Sequence, residues 1–118
     1  PGGDGIRELV KEPAFLRWIA GVPGTTTLAG ICGGSLVLGA AGLLRTKKAT
    51  THPSLMPVLV RFAREVSEDR IVDEGQIITA GGVTAAIDLG LYLCEKIVGT
   101  DAREKIQTQM DYRNYRVS

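Results

Sequence analysis

The stretch TTLAGICGGS, residues 26–35, decides the fold that we predict for this 118-residue chain. Its first part, Thr26 to Ile31, is apolar and β-branched and is bounded by glycine, which is typical of a short buried strand. Beyond the glycines, Leu36 to Leu44 is apolar on nearly every side, which is the pattern of a buried helix. The chain is therefore predicted to turn from a strand into a helix at Cys32.

The run Gly30-Ile31-Cys32-Gly33-Gly34 matches the nucleophile-elbow pattern G-x-S-x-G, with cysteine in the place of serine. The turn is sharp, so a Cβ on the neighbours of the nucleophile would clash. A cysteine at the following helix N-terminus is favoured as thiolate by the helix dipole, and thiolate is the nucleophilic form. The alternative is a small buried side chain beside a glycine turn. The spacing and the strand-to-helix setting favour a reactive Cys32.

Strands and helices alternate along the rest of the chain. Helices are predicted at Ile6–Val10, Pro13–Ala20, Leu55–Phe62 with Ser54 as N-cap, Val83–Val98 and Asp101–Tyr112. Further strands are predicted at Ala49–Thr51 and in a hairpin whose arms, Arg70–Asp73 and Gln76–Thr79, flank Glu74-Gly75. The tail Arg113–Ser118 is expected to be loose. This alternation indicates an α/β fold with a mainly parallel sheet and one hairpin.

The composition excludes several classes of protein. The chain is 44% hydrophobic and 23% charged with a net charge of +1, so neither nucleic acid nor an anionic membrane surface is an expected partner. No run approaches the length of a membrane span. Two distant cysteines favour free thiols in a reducing cytoplasm. A single histidine leaves too few soft ligands for a zinc site, and no metal or cofactor is expected.

Three further sites carry candidate chemistry. Backbone N–H groups of Gly2-Gly3-Asp4-Gly5, at a predicted helix start, can hold an oxyanion if they lie beside Cys32. His52, the only histidine, follows a predicted strand and either orients or deprotonates Cys32, or is a structural histidine bonded to a loop. Gly81-Gly82 precedes a helix and is interpreted as a turn rather than an anion site.

The remaining polar and aromatic candidates are assigned to structure. Asp88 is interpreted as an exposed or capping carboxylate, and Cys94 as an inert core residue because it lies on the apolar stripe of its helix. Tyr112 and Tyr115 either cover the core or anchor a partner subunit.

Four stretches together resemble the ThiJ/PfpI superfamily, also called the DJ-one family, which is related to class I glutamine amidotransferases. They are residues 1–5, 30–35, 49–53 and 67–84. Within the superfamily, residues 36–44 and 49–52 are most similar to isonitrile hydratases and also resemble the amidotransferase-like domain of AraC-type regulators, and residues 82–88 and 109–112 fit the same branch.

The resemblance implies a flavodoxin-like three-layer sandwich that usually forms a homodimer. It implies that Cys32 is the conserved cysteine, that His52 is the family histidine, and that the N–H groups of Gly3 and Gly33 are the oxyanion donors. Residues 1–118 would form a single partial domain, the C-terminal two thirds of the family fold. The N-terminal portion of the same domain, from the same or a separate chain, would supply the missing strands and an acidic residue that contacts the cysteine.

The resulting hypothesis is a cofactor-free cysteine enzyme that acts on a small electrophilic substrate. The branch of the family implies a hydratase, a lyase that adds water to isonitriles to give N-substituted formamides through a covalent Cys32 intermediate. The alternatives are a glyoxal-directed hydratase or deglycase, and a non-catalytic regulatory or redox-sensing module in which Cys32 is oxidised reversibly.

Overall fold

The strand and the helix predicted on either side of Cys32 are both present in the computed structural model, which describes residues 1–118. The chain forms, in order, α1 (Ile6–Leu9), α2 (Pro13–Ala20), β1 (Leu28–Ile31), α3 (Gly34–Ala40), β2 (Lys48–Ala49), a 3₁₀ turn (Pro53–Leu55), α4 (Met56–Leu59), β3 (Glu65–Val66), β4 (Ile71–Asp73), β5 (Ile77–Ala80), α5 (Ala85–Val98) and α6 (Thr100–Gln109).

The central sheet has the strand order β1-β5-β4. β1 runs parallel to β5, with Leu28 opposite Ile77, and β4 runs antiparallel to β5. The predicted hairpin is therefore confirmed, and Gly75 in its turn has the left-handed φ of +88° that favours glycine. β2 and β3 form a second, parallel pair, which is joined to the central sheet where the Thr50 N–H donates to Thr79 Oγ1 at 2.9 Å.

Apolar side chains pack on both faces of the sheet. Ile77 belongs to one cluster and its neighbour Ile78 to the other, because successive side chains of a strand point to opposite faces. α3 covers the first face and contacts α1, α2 and α4, whereas α5 covers the second face and contacts α6. This is the flavodoxin-like, three-layer α/β sandwich that the family resemblance implied.

Several element boundaries differ from those predicted. β1 begins at Leu28 rather than Thr26, and α3 ends at Ala40, although Leu44 beyond it is fully buried. α4 ends at Leu59 instead of reaching Phe62. β3 is only two residues long, too short to leave a pattern in the sequence.

The N-cap assigned to Ser54 was wrong. The helical segment starts two residues earlier, as a 3₁₀ turn that opens with Pro53, and the His52 side chain caps it by accepting a hydrogen bond from the Ser54 N–H. Proline suits this first position because it has no N–H that needs a partner.

Two assignments near the C-terminus were also wrong. Asp88 is fully buried rather than exposed or capping. The tail is not loose, since the Ile71 N–H donates to the Val117 carbonyl at 2.8 Å and the Arg116 N–H donates to Asp88 Oδ1 at 3.1 Å. The tail therefore lies along β4. Cys94 is half-buried and lies outside both apolar clusters, so it is not a core residue.

β1 forms one edge of the central sheet. The N–H groups of Leu28 and Cys32 donate toward β5, to Gln76 and Ala80. Backbone alternation then turns the N–H groups of Ala29 and Ile31 to the opposite side, where no strand pairs with them. None of the helices combines the length and the apolar character that a membrane crossing requires.

Candidate active site

Cys32 stands at a strained turn between β1 and α3. Its φ of +55° lies in the left-handed region, which costs a residue with a Cβ about 1–2 kcal/mol. Four hydrogen bonds hold it there. Its N–H donates to the carbonyls of Ala80 (3.1 Å) and Gly81 (2.9 Å), and its carbonyl accepts from Thr51 Oγ1 at 2.6 Å and from the Ser35 N–H at 3.2 Å. The end of β5 and the segment that follows β2 thus hold the turn in place.

The glycines around Cys32 are required by close packing. A Cβ on Gly30 would lie 3.0 Å from the Ser35 backbone, and one on Gly33 would lie 3.0 Å from the Ile6 side chain. These distances are shorter than ordinary van der Waals contacts. This is the crowding that the elbow pattern predicts for the neighbours of a nucleophile.

The glycines at the start of the chain lie against the elbow. A Cβ on Gly2 would stand 2.7 Å from the Gly33 nitrogen and 3.1 Å from Cys32 Sγ, so only glycine fits there. The next residue, Gly3, has a left-handed φ of +111°. Neither the Gly3 N–H nor the Gly33 N–H donates a hydrogen bond within the chain. Two backbone donors without an acceptor are therefore found in the segments that meet at the thiol.

The Cys32 thiol is free and half-buried. It contacts the first glycines rather than either apolar cluster, so the interpretation of Cys32 as a core residue does not describe its surroundings. A partly exposed thiol at a helix start is a setting in which cysteines react.

His52 lies near the elbow but has a local hydrogen-bond partner. Its Nδ1 is 2.8 Å from Ser54 Oγ and accepts from the Ser54 N–H at 3.1 Å. Its Cδ2 would be 3.3 Å from a Cβ on Gly82, so the ring packs on the segment after β5. No hydrogen bond joins His52 to Cys32. The structure thus places both at the same end of the sheet without pairing them, and Gly81-Gly82 forms the turn that was predicted.

A cavity of about 650 Å³ opens beside the elbow and was not anticipated from the sequence. Thr51 and Gly81, two of its lining residues, are also hydrogen-bonded to the Cys32 backbone. Thr50 lines it as well, is only 1% exposed, and has a hydroxyl without any hydrogen-bond partner.

A buried ionic network forms another wall of this cavity. Asp88 accepts hydrogen bonds from Arg70 Nε, from the Tyr112 hydroxyl at 3.1–3.2 Å and from the Arg116 N–H. The hydrogen bond to Asp88 raises the pKa of Arg70 above its ordinary value, although burial opposes the shift. Arg70 and Arg116 both line the cavity. The signal in the sequence was the helical spacing of Asp88 from Ala85 and Leu91, both of them buried.

A second polar cluster ties the hairpin to α5. Asp73 Oδ2 accepts from the Tyr92 hydroxyl and from Lys96 Nζ at 2.7 Å. The hydrogen bond to Asp73, with burial as a second cause, raises the pKa of Tyr92 to about 12. Burial would raise the pKa of Asp73, but the hydrogen bonds from Lys96, Tyr92 and Gly75 outweigh it and hold this pKa below its ordinary value.

Known proteins resemble this chain over almost its whole length. Residues 1–96 match the DJ-1/PfpI family. The chain is 39% identical over 113 residues to isonitrile hydratase of Pseudomonas putida. This match covers 95% of the chain and 50% of that protein. It is 32% identical over 109 residues to protein dj-1beta of Drosophila melanogaster, covering 91% of the chain and 57% of that protein.

A solved structure shows the same fold. The crystal structure of a ThiJ/PfpI family protein from Pseudomonas syringae superposes with a TM-score of 0.88 at 35% identity, covering 97% of this chain and 48% of that one. The chain spans about half the length of the most similar relatives.

Proposed function

The chain belongs to the DJ-1/PfpI family, and on that premise we propose that it carries the nucleophile of a cofactor-free hydratase that adds water to isonitriles. The observation that carries the proposal is the elbow itself. A half-buried Cys32 thiol meets the Gly2 backbone, and the Gly3 and Gly33 N–H groups nearby have no acceptor. The 39% identity to isonitrile hydratase of Pseudomonas putida supports the choice of substrate class.

In the first half of the reaction the Cys32 thiolate attacks the terminal carbon of the isonitrile. A sulfur–carbon bond forms, the same carbon takes up a proton, and a thioimidate results in which nitrogen is doubly bonded to that carbon. The covalent intermediate divides one difficult hydration into two easier additions.

In the second half, water adds to the thioimidate carbon and the nitrogen takes up a proton. The tetrahedral adduct then loses its hydroxyl proton, the carbon–sulfur bond breaks, and an N-substituted formamide leaves as the thiolate is restored. The N–H groups of Gly3 and Gly33 are proposed to hold the oxygen while it carries negative charge. One water is consumed for each isonitrile, and no oxidant or reductant is needed.

His52 is proposed to act as a hydrogen-bond donor through Nε2 rather than as the base that activates Cys32. The Ser54 N–H donates to Nδ1, so the neutral ring carries its proton on Nε2, which makes no hydrogen bond. The Nε2 atom lies 3.8 Å from the position of a Cβ on Gly82, next to Gly81, whose carbonyl accepts from the Cys32 N–H.

We further propose that another segment of the family domain pairs with the free edge of β1 and supplies the acidic residue that accompanies the cysteine. Support comes from the N–H groups of Ala29 and Ile31, which face away from β5 and have no strand beside them. Residues 1–118 would then be the C-terminal two thirds of the domain, acting as a homodimer. A free catalytic thiol suits a reducing compartment such as the cytoplasm.

The test is turnover of alkyl isonitriles by the full-length protein, followed by formamide release. Cys32→Ala and Cys32→Ser are expected to lose about 10³-fold or more in kcat, because the step they remove has no substitute. Cys94→Ala is the matched control, since this second thiol is also half-buried and lies outside the site. Equal turnover by Cys32→Ala and the parent protein would eliminate the proposal.

The same assay separates the alternatives. Turnover of 2-oxoaldehydes without turnover of isonitriles would favour a glyoxal-directed enzyme. No turnover of either class, combined with a gain in mass at the Cys32 peptide after peroxide titration, would favour a redox-sensing module.

A further inference from the structure

Thr51 is completely buried, and its hydroxyl is used in one hydrogen bond to the elbow. Oγ1 donates to the Cys32 carbonyl at 2.6 Å, a short distance for a neutral pair. The Cys32 carbonyl and the Gly33 N–H belong to the same peptide unit. No peptide bond in the chain is cis, so this N–H points away from the carbonyl. The Thr51 bond is the shorter of the two that this carbonyl accepts, the other coming from the Ser35 N–H at 3.2 Å, and it therefore helps to set the direction of the Gly33 N–H.

The other side of the elbow is fixed as well. The Cys32 N–H is held by the carbonyls of Ala80 and Gly81, and its left-handed φ of +55° leaves little freedom for the next peptide unit. The Gly33 N–H makes no hydrogen bond within the chain, and its nitrogen lies against the Gly2 backbone beside the thiol. In this peptide unit the Cys32 carbonyl oxygen accepts hydrogen bonds, whereas the Gly33 N–H has no acceptor and is available to a ligand.

The hydroxyl also changes the strength of that donor. A hydrogen bond accepted by a carbonyl polarises the whole peptide group and makes its N–H a better donor. Thr51 thus orients the Gly33 N–H and strengthens it without touching the substrate.

We propose that Thr51 is a positioning residue for the oxyanion donor, acting through the Cys32–Gly33 peptide unit. The proposal rests on the proposed function, because it assumes that a charged oxygen forms beside Cys32. It assigns to Thr51 a role in the transition state and not in the binding of the substrate.

The adjacent residue supplies a matched control. Thr50 is 1% exposed, and its hydroxyl has no partner. Thr50→Val and Thr51→Val are the same isosteric change at neighbouring buried positions. Only the second removes a hydrogen bond from a carbonyl of the elbow, because the Cys32 carbonyl then accepts from the Ser35 N–H alone, at 3.2 Å.

The experiment compares the full-length parent protein, Thr50→Val, Thr51→Val and Thr51→Ser. Loss of one direct oxyanion donor costs about 10²–10³-fold in kcat, so loss of its support is expected to cost about 10-fold to 100-fold. KM should stay within about threefold, Thr51→Ser should keep most of the activity, and Thr50→Val should lose clearly less kcat than Thr51→Val. Should Thr51→Val fail to fold, Thr51→Ser and Thr51→Ala give the same comparison, since they differ only in the hydroxyl.

A second readout separates the donor from the thiol. Alkylation of Cys32 by iodoacetamide displaces iodide and forms no oxyanion, so its rate should be the same in Thr51→Val and Thr50→Val. Equal kcat values for these two variants would overturn the inference. An equal loss of kcat and alkylation rate in Thr51→Val would also overturn it, because Thr51 would then act on the thiol or on folding.

A third readout remains valid if the parent protein turns over no isonitrile, the outcome that defeats the proposed function. n-Butyraldehyde adds to a thiolate to give a hemithioacetal whose oxygen occupies the same position. Its protection of Cys32 against iodoacetamide should be about tenfold weaker in Thr51→Val than in Thr50→Val, as expected for one weakened hydrogen bond to a charged group. Equal protection in both variants would overturn the role of Thr51 independently.

Discussion

At the scale of single residues, the site depends on the absence of side chains as much as on their presence. Cys32 is held in a left-handed conformation that glycine would adopt without strain, and the backbone of Gly2 fills the space beside it. In the proposed function the thiol is the nucleophile, and the surrounding glycines leave the space that a substrate and the N–H donors need.

Gly2→Ala is predicted to damage catalysis more than stability. Its methyl would stand 2.7 Å from the Gly33 nitrogen and 3.1 Å from Cys32 Sγ, so either the donor is blocked or the segment moves. A displacement of about 1 Å costs roughly 10²-fold in rate, which is the loss expected in kcat/KM. Gly5→Ala is the control, because a Cβ there meets nothing within 4 Å. Similar kcat/KM values for the two variants would show that Gly2 does not border the site.

Tyr92 gives a prediction for stability at alkaline pH. Its pKa is raised from 10.0 to about 12 by the hydrogen bond to Asp73, so the folded state favours the neutral phenol. The contribution to stability is therefore complete below pH 10 and is lost as the pH rises through about 12. The free energy of unfolding of the parent protein should exceed that of Tyr92→Phe near pH 9, and the difference should shrink toward pH 12. A difference independent of pH would show that the phenol does not titrate between the two states.

At the scale of elements, the sequence predicted the strands and helices that have a clear period or a glycine boundary. The elbow, the hairpin around Gly75 and the long helix before Gly99 were all confirmed. The features that were predicted wrongly, such as the exposure of Asp88 and the loose tail, depend on contacts between residues far apart in the sequence. The burial of Asp88 requires Arg70, eighteen residues earlier, and Tyr112 beyond α6, and no local pattern brings these three together.

In the candidate site, too, the residues set by local sequence were predicted and those set by distant contacts were not. Cys32 and the glycines of its elbow were identified from spacing, because the turn imposes its requirement on adjacent residues. The position of Gly2 beside the thiol agrees with the family resemblance. The role of Thr51 was not predicted, since its hydroxyl reaches a carbonyl nineteen positions away through the packing of two strands.

Asp88 provides the prediction at this scale. Asp88→Asn replaces a carboxylate that accepts donors from three segments and leaves the Arg70 charge without a buried partner. Loss of such a pair costs about 3 kcal/mol or more, measured as the free energy of unfolding in denaturant. Asp111→Asn is the matched control, because Asp111 pairs with Arg113 at the surface and such pairs are worth less than about 1 kcal/mol. Equal losses would mean that the Asp88 network contributes no more than a surface pair.

At the scale of the whole molecule, the chain exposes large apolar side chains and one unpaired strand edge. Trp18 on α2 is 65% exposed and Ile97 at the end of α5 is 79% exposed, while β1 presents an unpaired edge. Exposed edges and apolar faces of this kind favour association with another chain.

Residues 1–118 expressed alone are accordingly expected to associate, as measured by light scattering coupled to size-exclusion chromatography. Ala29→Lys places a charge on the exposed side of β1 and should lower the mean mass, because edge lysines oppose strand pairing. Ala86→Lys makes the same change at an exposed position in the first turn of α5, about three turns from Ile97, and should leave the mean mass unaltered. A cooperatively folded, monodisperse species of 12.6 kDa would contradict the expectation.

The way in which Cys32 is tied into the sheet has one further consequence. Its N–H donates to the carbonyls of residues 80 and 81, and its carbonyl accepts from Thr51 Oγ1. The turn at Cys32 is therefore hydrogen-bonded to the ends of two other segments of the sheet. On heating, the geometry around Cys32 should consequently be lost no later than the sheet begins to melt. The rate at which Cys32 reacts with a thiol-specific reagent would then report the first loosening of the sheet as the temperature rises.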